Sequence, residues 1–217
     1  MPLKVVCFCR YFAARDTPWR QEDWDAYHFV RALKGYELRG YSHVPVNGVL
    51  RRLSKQNASS AIEWFARFVA GYLTKKKITP PFVVIPVPNS ACTVRSTTKP
   101  HTQKLAKAIC DCIGAKAKAV ACLRWKKDLG SASKEGGPRD ADTLYGNSVL
   151  TVDFNDQTTV VLVDDVITSG GHLKACAAKL RRAGADVVIA VCGGRTTYDQ
   201  GNKPFEIAEE FLEDYEP

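Results

Sequence analysis

The sequence has 217 residues, of which 45% are hydrophobic and 25% charged, a composition typical of a globular protein with one sizeable core. Its 15 glycines and 11 prolines are ordinary numbers and exclude collagen-like or low-complexity chains. No apolar run approaches the roughly 20 residues that span a bilayer. The N-terminal stretch meets charge at Arg10 and offers no clean small-residue cleavage site. We therefore expect a soluble, cytoplasmic protein without a membrane partner.

Charge is distributed unevenly along the chain. The net charge is +8, yet residues 206–217 contain six acids and no base, so the preceding residues carry a net charge of +14. A basic body indicates anionic partners, either phosphorylated small molecules or nucleic acid. A solvated lysine-rich surface explains the same charge, so a nucleic-acid partner stays an open alternative.

Eight cysteines raise the question of zinc or disulfides. They include two Cys-x-Cys pairs, at 7/9 and 110/112, with no histidine at ligand spacing beside them. Structural zinc sites usually use pairs two to four residues apart, and disulfides do not suit a cytoplasmic chain. Because most of these thiols fall in apolar runs, we expect them to act as small core residues.

The first 56 residues are the least regular part of the chain. They contain an apolar strand at 3–8, a short helix around 24–33 and a turn-rich stretch up to Gly48. This pattern predicts an appended N-terminal subdomain over residues 1–56.

Residues 57–217 alternate regularly between helices and strands. Helices are predicted from Ser60, with Glu63 completing a capping box, over 102–113 and over 172–183. Buried strands are predicted over 82–85, 119–123, 159–163 and 186–192. Continuously apolar strands separated by helices indicate a parallel sheet covered on both faces. The apolar residues around 205–212 predict a final amphipathic helix with an acidic outer face.

A polar, glycine-containing stretch at 125–148 interrupts this alternation. A loop of this length inside a compact domain is usually a functional lid or a disordered segment.

The most informative stretch is residues 160–173, which read Val-Val-Leu-Val-Asp-Asp-Val-Ile-Thr-Ser-Gly-Gly-His-Leu. An apolar strand ends directly in Asp164 and Asp165, at the edge where open α/β sheets bind ligands. Two hydroxyl side chains and two glycines then begin a helix, and such a helix N-terminus is an anion site. An ordinary strand-to-helix turn does not explain adjacent acids, which cost desolvation energy unless a ligand uses them. The combination fits a ligand with both hydroxyls and phosphate, such as a ribose 5-phosphate.

Other phosphate and hydrolase motifs are missing from the sequence. There is no G-x-x-x-x-G-K-[ST] segment, no G-x-G-x-x-G after a strand and no G-x-S-x-G elbow. These absences disfavour a nucleoside triphosphatase, a dinucleotide-binding enzyme and an α/β-hydrolase.

Residues 160–173 resemble the phosphoribosyl pyrophosphate (PRPP) motif of the type I phosphoribosyltransferases almost position for position. Further segments are similar to the ComF-like, amidophosphoribosyltransferase-like branch of that family: Ile85-Pro86-Val87-Pro88, Arg95, Leu105-Ala106, Arg139, Leu144, Asn147 and the segment 29–35. The resemblance implies the type I fold, a central, mostly parallel sheet flanked by helices with a small N-terminal hood. The segment Thr98-Lys99-Pro100-His101 departs from the branch, which usually carries an Arg-Gly-Phe-Asn-like stretch there, and the four-cysteine zinc ribbon is absent.

The same resemblance implies roles for individual residues. Asp164 and Asp165 would bind the ribose hydroxyls directly or through Mg²⁺, as catalytic residues and metal ligands. The 5-phosphate would be held by Ile167, Thr168, Ser169, Gly170, Gly171 and His172. Asn89 and Ser90 would lie against the pyrophosphate. Residues 125–148 would form a mobile hood whose Lys126, Lys127 and Arg139 reach the pyrophosphate.

We therefore expect a Mg²⁺-dependent phosphoribosyltransferase that moves ribose 5-phosphate between PRPP and a nitrogenous base and releases pyrophosphate. The alternative is a non-catalytic PRPP or nucleotide sensor in a regulatory, DNA-uptake or defence assembly. A homodimer is expected from the family resemblance alone. The isolated histidines His28, His43 and His101 are predicted to be surface or packing residues.

Overall fold

The computed structural model of the protein describes residues 1–130, 137–154 and 157–217. The described strands are β1 (Leu3–Phe12), β2 (Tyr41–Val46), β3 (Val49–Ser54), β4 (Phe82–Pro86), β5 (Ala117–Ala119), β6 (Leu123–Trp125), β7 (Ser148–Leu150), β8 (Thr159–Ile167), β9 (Asp186–Thr197) and β10 (Ala208–Leu212). The described helices are α1 (Gln21–Leu33), α2 (Ser60–Lys75), α3 (Gln103–Ile113), α4 (Ala141–Asn147) and α5 (Gly171–Arg182). In this part of the chain, no helix combines the length and the apolar character that crossing a bilayer requires.

A six-stranded sheet in the order β10-β1-β9-β8-β4-β5 forms the centre of the molecule. The strands from β1 to β5 in that order run parallel, and only β10 is antiparallel to its neighbour. Helices α1, α2 and α3 pack in one hydrophobic cluster, and α4 and α5 pack in the other. The fold is therefore α/β with a central, mostly parallel sheet flanked by helices, and the predicted fold class is confirmed.

Strand β8 shows why the buried strands are continuously apolar. Val161 and Val163 pack in the cluster with α1, α2 and α3, whereas Val160 and Leu162 pack in the cluster with α5. Since successive side chains of a strand point to opposite faces, a sheet covered on both faces requires apolar residues at every position.

The predicted C-terminal helix is wrong, because residues Ala208–Leu212 form β10. This strand pairs antiparallel with β1, with Leu212 opposite Leu3. Leu212 is buried in the core, and Phe211 on the other face of the strand is 67% exposed. Pairing with the open edge of β1 therefore decides the structure of a short segment that also fits a helical pattern.

The N-terminal strand does not belong to an appended unit. Strand β1 lies between β9 and β10 inside the central sheet, so the predicted boundary at residue 56 does not separate it from the core. From Val5 to Phe8 its side chains alternate between the two hydrophobic clusters. Only α1 and the hairpin of β2 and β3 lie outside the sheet, and their role as a hood stays a prediction.

Two smaller predictions also differ from the structure. Ser60 is the first residue of α2 rather than its cap, and Glu63 pairs with Arg67 at 2.5 Å instead of closing a capping box. The stretch 125–148 contains α4 and the start of β7, while its residues 131–136 lie outside the described part of the chain.

Six of the eight cysteines are buried, as expected for small core residues. Burial raises the pKa of Cys122 to about 12 and that of Cys110 to about 11. Such thiols stay protonated at neutral pH and contribute to packing rather than to chemistry.

The Gly193-Gly194 pair lets α1 lie directly on the sheet. A Cβ atom on Gly193 would stand 2.3 Å from Leu33 Cδ1 and 2.8 Å from the Asp165 carbonyl oxygen. A Cβ atom on Gly194 would stand 2.8 Å from Val30 Cγ2. The close packing brings the C-terminal end of α1, where Lys34 follows, to the carboxyl ends of the parallel strands.

The Gly193→Ala substitution is expected to lower the free energy of unfolding by about 1–3 kcal/mol, because the added methyl group overpacks this contact. Urea denaturation measures the change. Gly71→Ala is the matched control: the site is an exposed interior position of α2 with nothing near the added atom, so a gain of up to about 1 kcal/mol is expected. Equal stability of the Gly193→Ala variant and the wild type would show that α1 does not depend on this close contact.

Candidate functional site

A cavity of about 590 Å³ lies at the carboxyl ends of β4 and β8. Its described lining residues are Lys34, Tyr36, residues 87–91, His101, Asp128, Gly130, Arg139, residues 164–170, His172 and Leu173. Parallel strands end at the same edge of a sheet, which is where open α/β sheets bind ligands. The cavity therefore occupies the position that the sequence pattern predicts.

The loop from Thr168 to Gly170 connects β8 to α5 and forms one wall of the cavity. Gly170 adopts a left-handed φ of 81° as the residue preceding α5, and a Cβ atom there would stand 2.8 Å from Leu212 Cδ1. Both the backbone angle and the contact require glycine. Ile167 ends β8 on the cavity wall, and Gly171 begins the twelve-residue helix α5. The free N–H groups of this helix end face the loop region, an arrangement that suits an anion.

The two adjacent aspartates have different surroundings. Asp165 is only 5% exposed; Lys34 Nζ lies 3.6 Å from its Oδ1, and His101 Nε2 shares a hydrogen bond with its Oδ2. Asp164 is half-buried, and its Oδ1 accepts a hydrogen bond of 2.8 Å from the Asp165 N–H. Asp165 is thus held between two cationic side chains, whereas Asp164 faces the cavity.

These surroundings move the pKa values in opposite directions. Burial, together with the charge of Asp165, raises the pKa of Asp164 to about 7. Burial also opposes the charge of Asp165, but the hydrogen bond from His101 and the charge of Lys34 hold its pKa below the ordinary value. Burial by itself would lower the pKa of His101, yet its hydrogen bond to Asp165 raises that pKa above the ordinary value. The raised pKa of His101 favours its protonated form, in which the contact with Asp165 is an ion pair. Asp164, with a pKa of about 7, exchanges its proton near neutral pH.

The oxygen atoms of Asp164 and Asp165 are ligands of the kind that Mg²⁺ prefers. Within the described residues, no group of three or more His, Cys, Asp or Glu side chains could hold a metal ion alone. Mg²⁺ usually binds one or two carboxylates and completes its shell with water and substrate phosphates. The residues fit such an ion, with Asp164 as the more available ligand because Asp165 is already paired.

Asn89 and Ser90 form the opposite wall of the cavity, after β4. Trp125 Nε1 donates to the Asn89 carbonyl at 3.1 Å, and Asn89 Oδ1 accepts from the Cys92 thiol at 3.0 Å. Thr102 Oγ1 donates to the Val87 carbonyl at 2.7 Å and ties the start of α3 to this turn. The turn is therefore held from three sides, and both predicted residues reach the cavity.

The three predicted cationic residues of the loop 125–148 do not meet at one place. Arg139 lines the cavity, and its carbonyl accepts a hydrogen bond from Ser169 Oγ at 3.3 Å. Lys126 Nζ donates to the Gly146 carbonyl at 2.6 Å, and the Lys127 N–H donates to Asn147 Oδ1. Neither lysine belongs to the described lining of the cavity.

His172 lies near the N-terminus of α5 and lines the cavity. Its ring meets Trp125 edge to face at a centroid distance of 5.7 Å. Burial, with a smaller contribution from the charge of Arg139, lowers the pKa of His172, although Asp165 acts in the opposite direction. The neutral ring can gain a proton when an anion binds beside it.

Lys34 and His101 are the site residues that sequence reasoning missed. The prediction that His101 is a surface or packing residue is wrong, since it lines the cavity and pairs with Asp165. One signal was available: His101 lies two residues before α3, in the connection that leads from the end of β4 to this helix. Tyr36, Asp128 and Gly130 also line the cavity, and nothing in the sequence singled them out.

The fold and the site define an α/β protein with a cavity in which two adjacent carboxylates lie beside a glycine-containing loop at a helix N-terminus. No protein-family model and no curated protein matches the sequence. Among solved structures, the chain is similar to an adenine phosphoribosyltransferase from Saccharomyces cerevisiae complexed with an imino-altritol bisphosphate and adenine, with 14% identity, a TM-score of 0.44 and coverage of 77% of this chain and 88% of that one.

Two further solved structures are similar to the chain. One is an adenine phosphoribosyltransferase, with 12% identity, a TM-score of 0.42 and coverage of 78% of this chain and 99% of that one. The other is a purine phosphoribosyltransferase from Pyrococcus horikoshii, with 14% identity, a TM-score of 0.36 and coverage of 66% and 78%. At such identities and TM-scores, nothing about activity follows from the similarity.

Proposed function

We propose that this protein is a type I phosphoribosyltransferase of the ComF-like branch. It transfers ribose 5-phosphate between PRPP and a nitrogenous base and releases pyrophosphate. The observation that carries the proposal is the cavity itself, where Asp164 and Asp165 stand beside the loop 168–170 and opposite Asn89 and Ser90. This arrangement offers acceptors for a diol, a helix N-terminus for a phosphate and a second polar wall for a pyrophosphate.

Each wall has its own task in the proposed reaction. The aspartates accept hydrogen bonds from the ribose hydroxyls, and the loop 168–171 with His172 binds the 5-phosphate. Asn89, Ser90 and Arg139 contact the pyrophosphate. Mg²⁺, held by the aspartates together with ligand oxygens and water, would neutralise charge on the pyrophosphate. Positioning and electrostatic stabilisation then provide the rate, with little covalent chemistry asked of the protein.

The bond from ribose C1 to the pyrophosphate oxygen breaks, a bond from C1 to a base nitrogen forms, and any proton on that nitrogen passes to the departing pyrophosphate or to water. Pyrophosphate leaves with the bonding electrons, so positive charge develops on the ribose ring. Water would capture such a centre, and a hood formed by parts of 125–148 would exclude it. Among the described residues of this segment, Asp128, Gly130 and Arg139 line the cavity, and Arg139 is the cationic one.

Calorimetric titration of PRPP with Mg²⁺ into the wild type, combined with a pyrophosphate-release assay over a panel of nucleobases, tests the proposal. We expect saturable binding of PRPP and release of pyrophosphate with one class of base. If the wild type binds no PRPP and releases no pyrophosphate, both the transferase function and the sensor function described next are overturned.

The second candidate function is a non-catalytic PRPP or nucleotide sensor. It is favoured by Lys126 and Lys127, neither of which belongs to the described lining of the cavity. The Lys126 side chain donates to the Gly146 carbonyl, and the backbone N–H of Lys127 donates to Asn147 Oδ1. A sensor binds PRPP without releasing pyrophosphate from any base. If it works in a nucleic-acid assembly, it also binds unrelated DNA with an affinity that falls steeply as salt increases. Either function is compatible with the homodimer that we propose from the family resemblance.

A further inference from the structure

The loop from Thr168 to Gly170, to which we assign the 5-phosphate, is contacted on the side away from the cavity by Arg195, a residue near the end of β9. Arg195 Nη1 donates a hydrogen bond to the Thr168 carbonyl oxygen. Arg195 Nε lies 3.1 Å from Glu210 Oε1 on β10 as an ion pair; this oxygen is shielded from solvent and receives no hydrogen bond from the described residues. Thr168 lines the cavity while Arg195 does not, so the loop stands between the guanidinium and the cavity.

The geometry of the peptide bond gives this contact a consequence on the other side of the loop. In a planar trans peptide the C=O and the N–H point in opposite directions. When Arg195 holds the Thr168 carbonyl on the β9 side, the Ser169 N–H of the same peptide turns toward the cavity side. An N–H directed there is the donor that an anion at the α5 N-terminus needs.

Neighbouring contacts restrain the same peptide. The hydroxyls of Thr168 and Thr196 lie 2.9 Å apart and share a hydrogen bond. Leu212 of β10 lies close to Gly170: a Cβ atom added to Gly170 would stand 2.8 Å from Leu212 Cδ1. Strand β10 therefore reaches the loop at two places, through Leu212 directly and through Glu210 and Arg195.

We propose that Arg195, held in place by Glu210, is a positioning residue that orients the Thr168–Ser169 peptide toward the 5-phosphate of the ligand. The proposal rests on the proposed function, since it presumes that the loop binds a sugar phosphate. It assigns to the C-terminal strand a task in ligand binding, although no residue of β10 lines the described cavity.

Two ligands separate positioning from a general structural role. Ribose 5-phosphate needs the loop, whereas pyrophosphate binds on the wall of Asn89 and Ser90. Arg195→Met is expected to weaken ribose 5-phosphate binding about tenfold, which corresponds to the loss of one hydrogen bond from a charged donor. Pyrophosphate binding is expected to change less than about twofold, and Arg195→Lys is expected to restore part of the affinity because lysine is also a charged donor.

The role of the Glu210 carboxylate in holding Arg195 is tested by Glu210→Gln, with Asp214→Asn as the matched control. Asp214 is also a C-terminal carboxylate paired with an arginine, Arg181 at 2.8 Å, but it is not part of the loop. We expect a loss of about threefold for Glu210→Gln and none for Asp214→Asn in calorimetric titrations, with thermal unfolding recorded for every variant.

The outcomes distinguish the inference from the proposed function. If the wild type binds no ribose 5-phosphate, the proposed function fails and the positioning role fails with it. If the wild type binds and Arg195→Met binds equally well, the inference alone is overturned. Equal weakening of both ligands would also overturn it, because it would show a structural role only. Should Arg195→Met not fold, the Arg195→Lys and Glu210→Gln titrations test the inference. It is overturned if both variants bind ribose 5-phosphate as well as the wild type or weaken both ligands equally.

Discussion

Replacing Asp165 by Asn is expected to abolish PRPP binding and also to lower the free energy of unfolding by about 3 kcal/mol, the low end for a broken buried ion pair. The substitution leaves Lys34 and His101 without their counter-charge in a region where the Asp165 side chain is 8% exposed. His101 is 39% exposed, and solvent screening of that partner keeps the cost at the low end. Urea denaturation and calorimetric titration at pH 7 measure the two effects.

The chemically identical change at the neighbouring residue provides the matched control. Asp164→Asn is expected to abolish PRPP binding without any loss of stability and to be more stable than the wild type at pH 7, because burial and the Asp165 charge raise the pKa of Asp164 to about 7 and so oppose its ionised form. An asparagine resembles the protonated form that the folded protein favours. If both variants lose the same stability, the ion pairs of Asp165 do not stabilise the fold.

The pH dependence follows from the same difference. An acid whose pKa is higher in the folded protein binds its proton more tightly after folding, so its contribution to stability falls as pH rises from its unfolded pKa to its folded pKa. For Asp164 this window lies between the ordinary aspartate pKa of 3.8 and about 7. Relative to the Asp164→Asn variant, the wild type therefore loses stability over that window.

A double variant keeps the Asp165 result interpretable if the single variant unfolds. Lys34→Met combined with Asp165→Asn removes one cation together with its partner, and part of the lost stability should return. Together with the Lys34→Met single variant, these proteins complete a double-mutant cycle, which gives the coupling of this pair. A coupling of zero would mean that the 3.6 Å approach of Lys34 and Asp165 contributes nothing.

The part of the fold that local chemistry determines could be predicted from the sequence. Strand β8, the loop and α5 follow one another without a break, and each has its own signal: an apolar run with adjacent carboxylates, glycines and helical periodicity. The strand continues through Asp164 and Asp165 to Ile167 instead of ending at the two acids as predicted. The predicted helix over 172–183 and the structural helix Gly171–Arg182 differ by one residue at each end. A strand that lies between two parallel strands and is covered on both faces requires a continuous apolar run, so its sequence is easy to recognise.

The pairing of the strands at the two ends of the chain, β1 and β10, could not be predicted in this way. Strand β10 has five residues, too few for a period of two to be told from a period of 3.6. It forms because its partner β1 comes from the other end of the chain. The same pairing takes β1 out of the expected N-terminal subdomain. Short edge strands depend on the partner strand more than on their own sequence.

The site shows the same division between local and tertiary information. Asp164, Asp165, Thr168 and Ser169 were predicted and line the cavity together, since one short segment carries them. His101 and Lys34 come from other segments, and His101 is 64 positions away from the Asp165 that it contacts. Only the folded sheet edge brings them to one carboxylate, so no local motif could have indicated the ion pairs.

Gly170→Ala is expected to weaken ribose 5-phosphate binding more than tenfold and to lower the free energy of unfolding by about 2–3 kcal/mol. Two physical terms combine at this residue. A left-handed backbone, with φ of 81°, costs an alanine about 1–2 kcal/mol. The added Cβ would also stand 2.8 Å from Leu212 Cδ1, so the loop must move away from β10. Thermal unfolding and calorimetry measure both consequences.

Two further variants separate these terms. Gly40 has a φ of 89° with nothing near an added atom, so Gly40→Ala is expected to cost about 1–2 kcal/mol from the backbone alone and to leave ribose 5-phosphate binding unchanged. Adding Leu212→Ala to Gly170→Ala removes the collision and should restore binding in part, although the backbone cost remains. If Gly170→Ala binds ribose 5-phosphate as well as the wild type, binding does not depend on the present backbone conformation of the loop. The contact between the loop and β10 would then be unnecessary for binding.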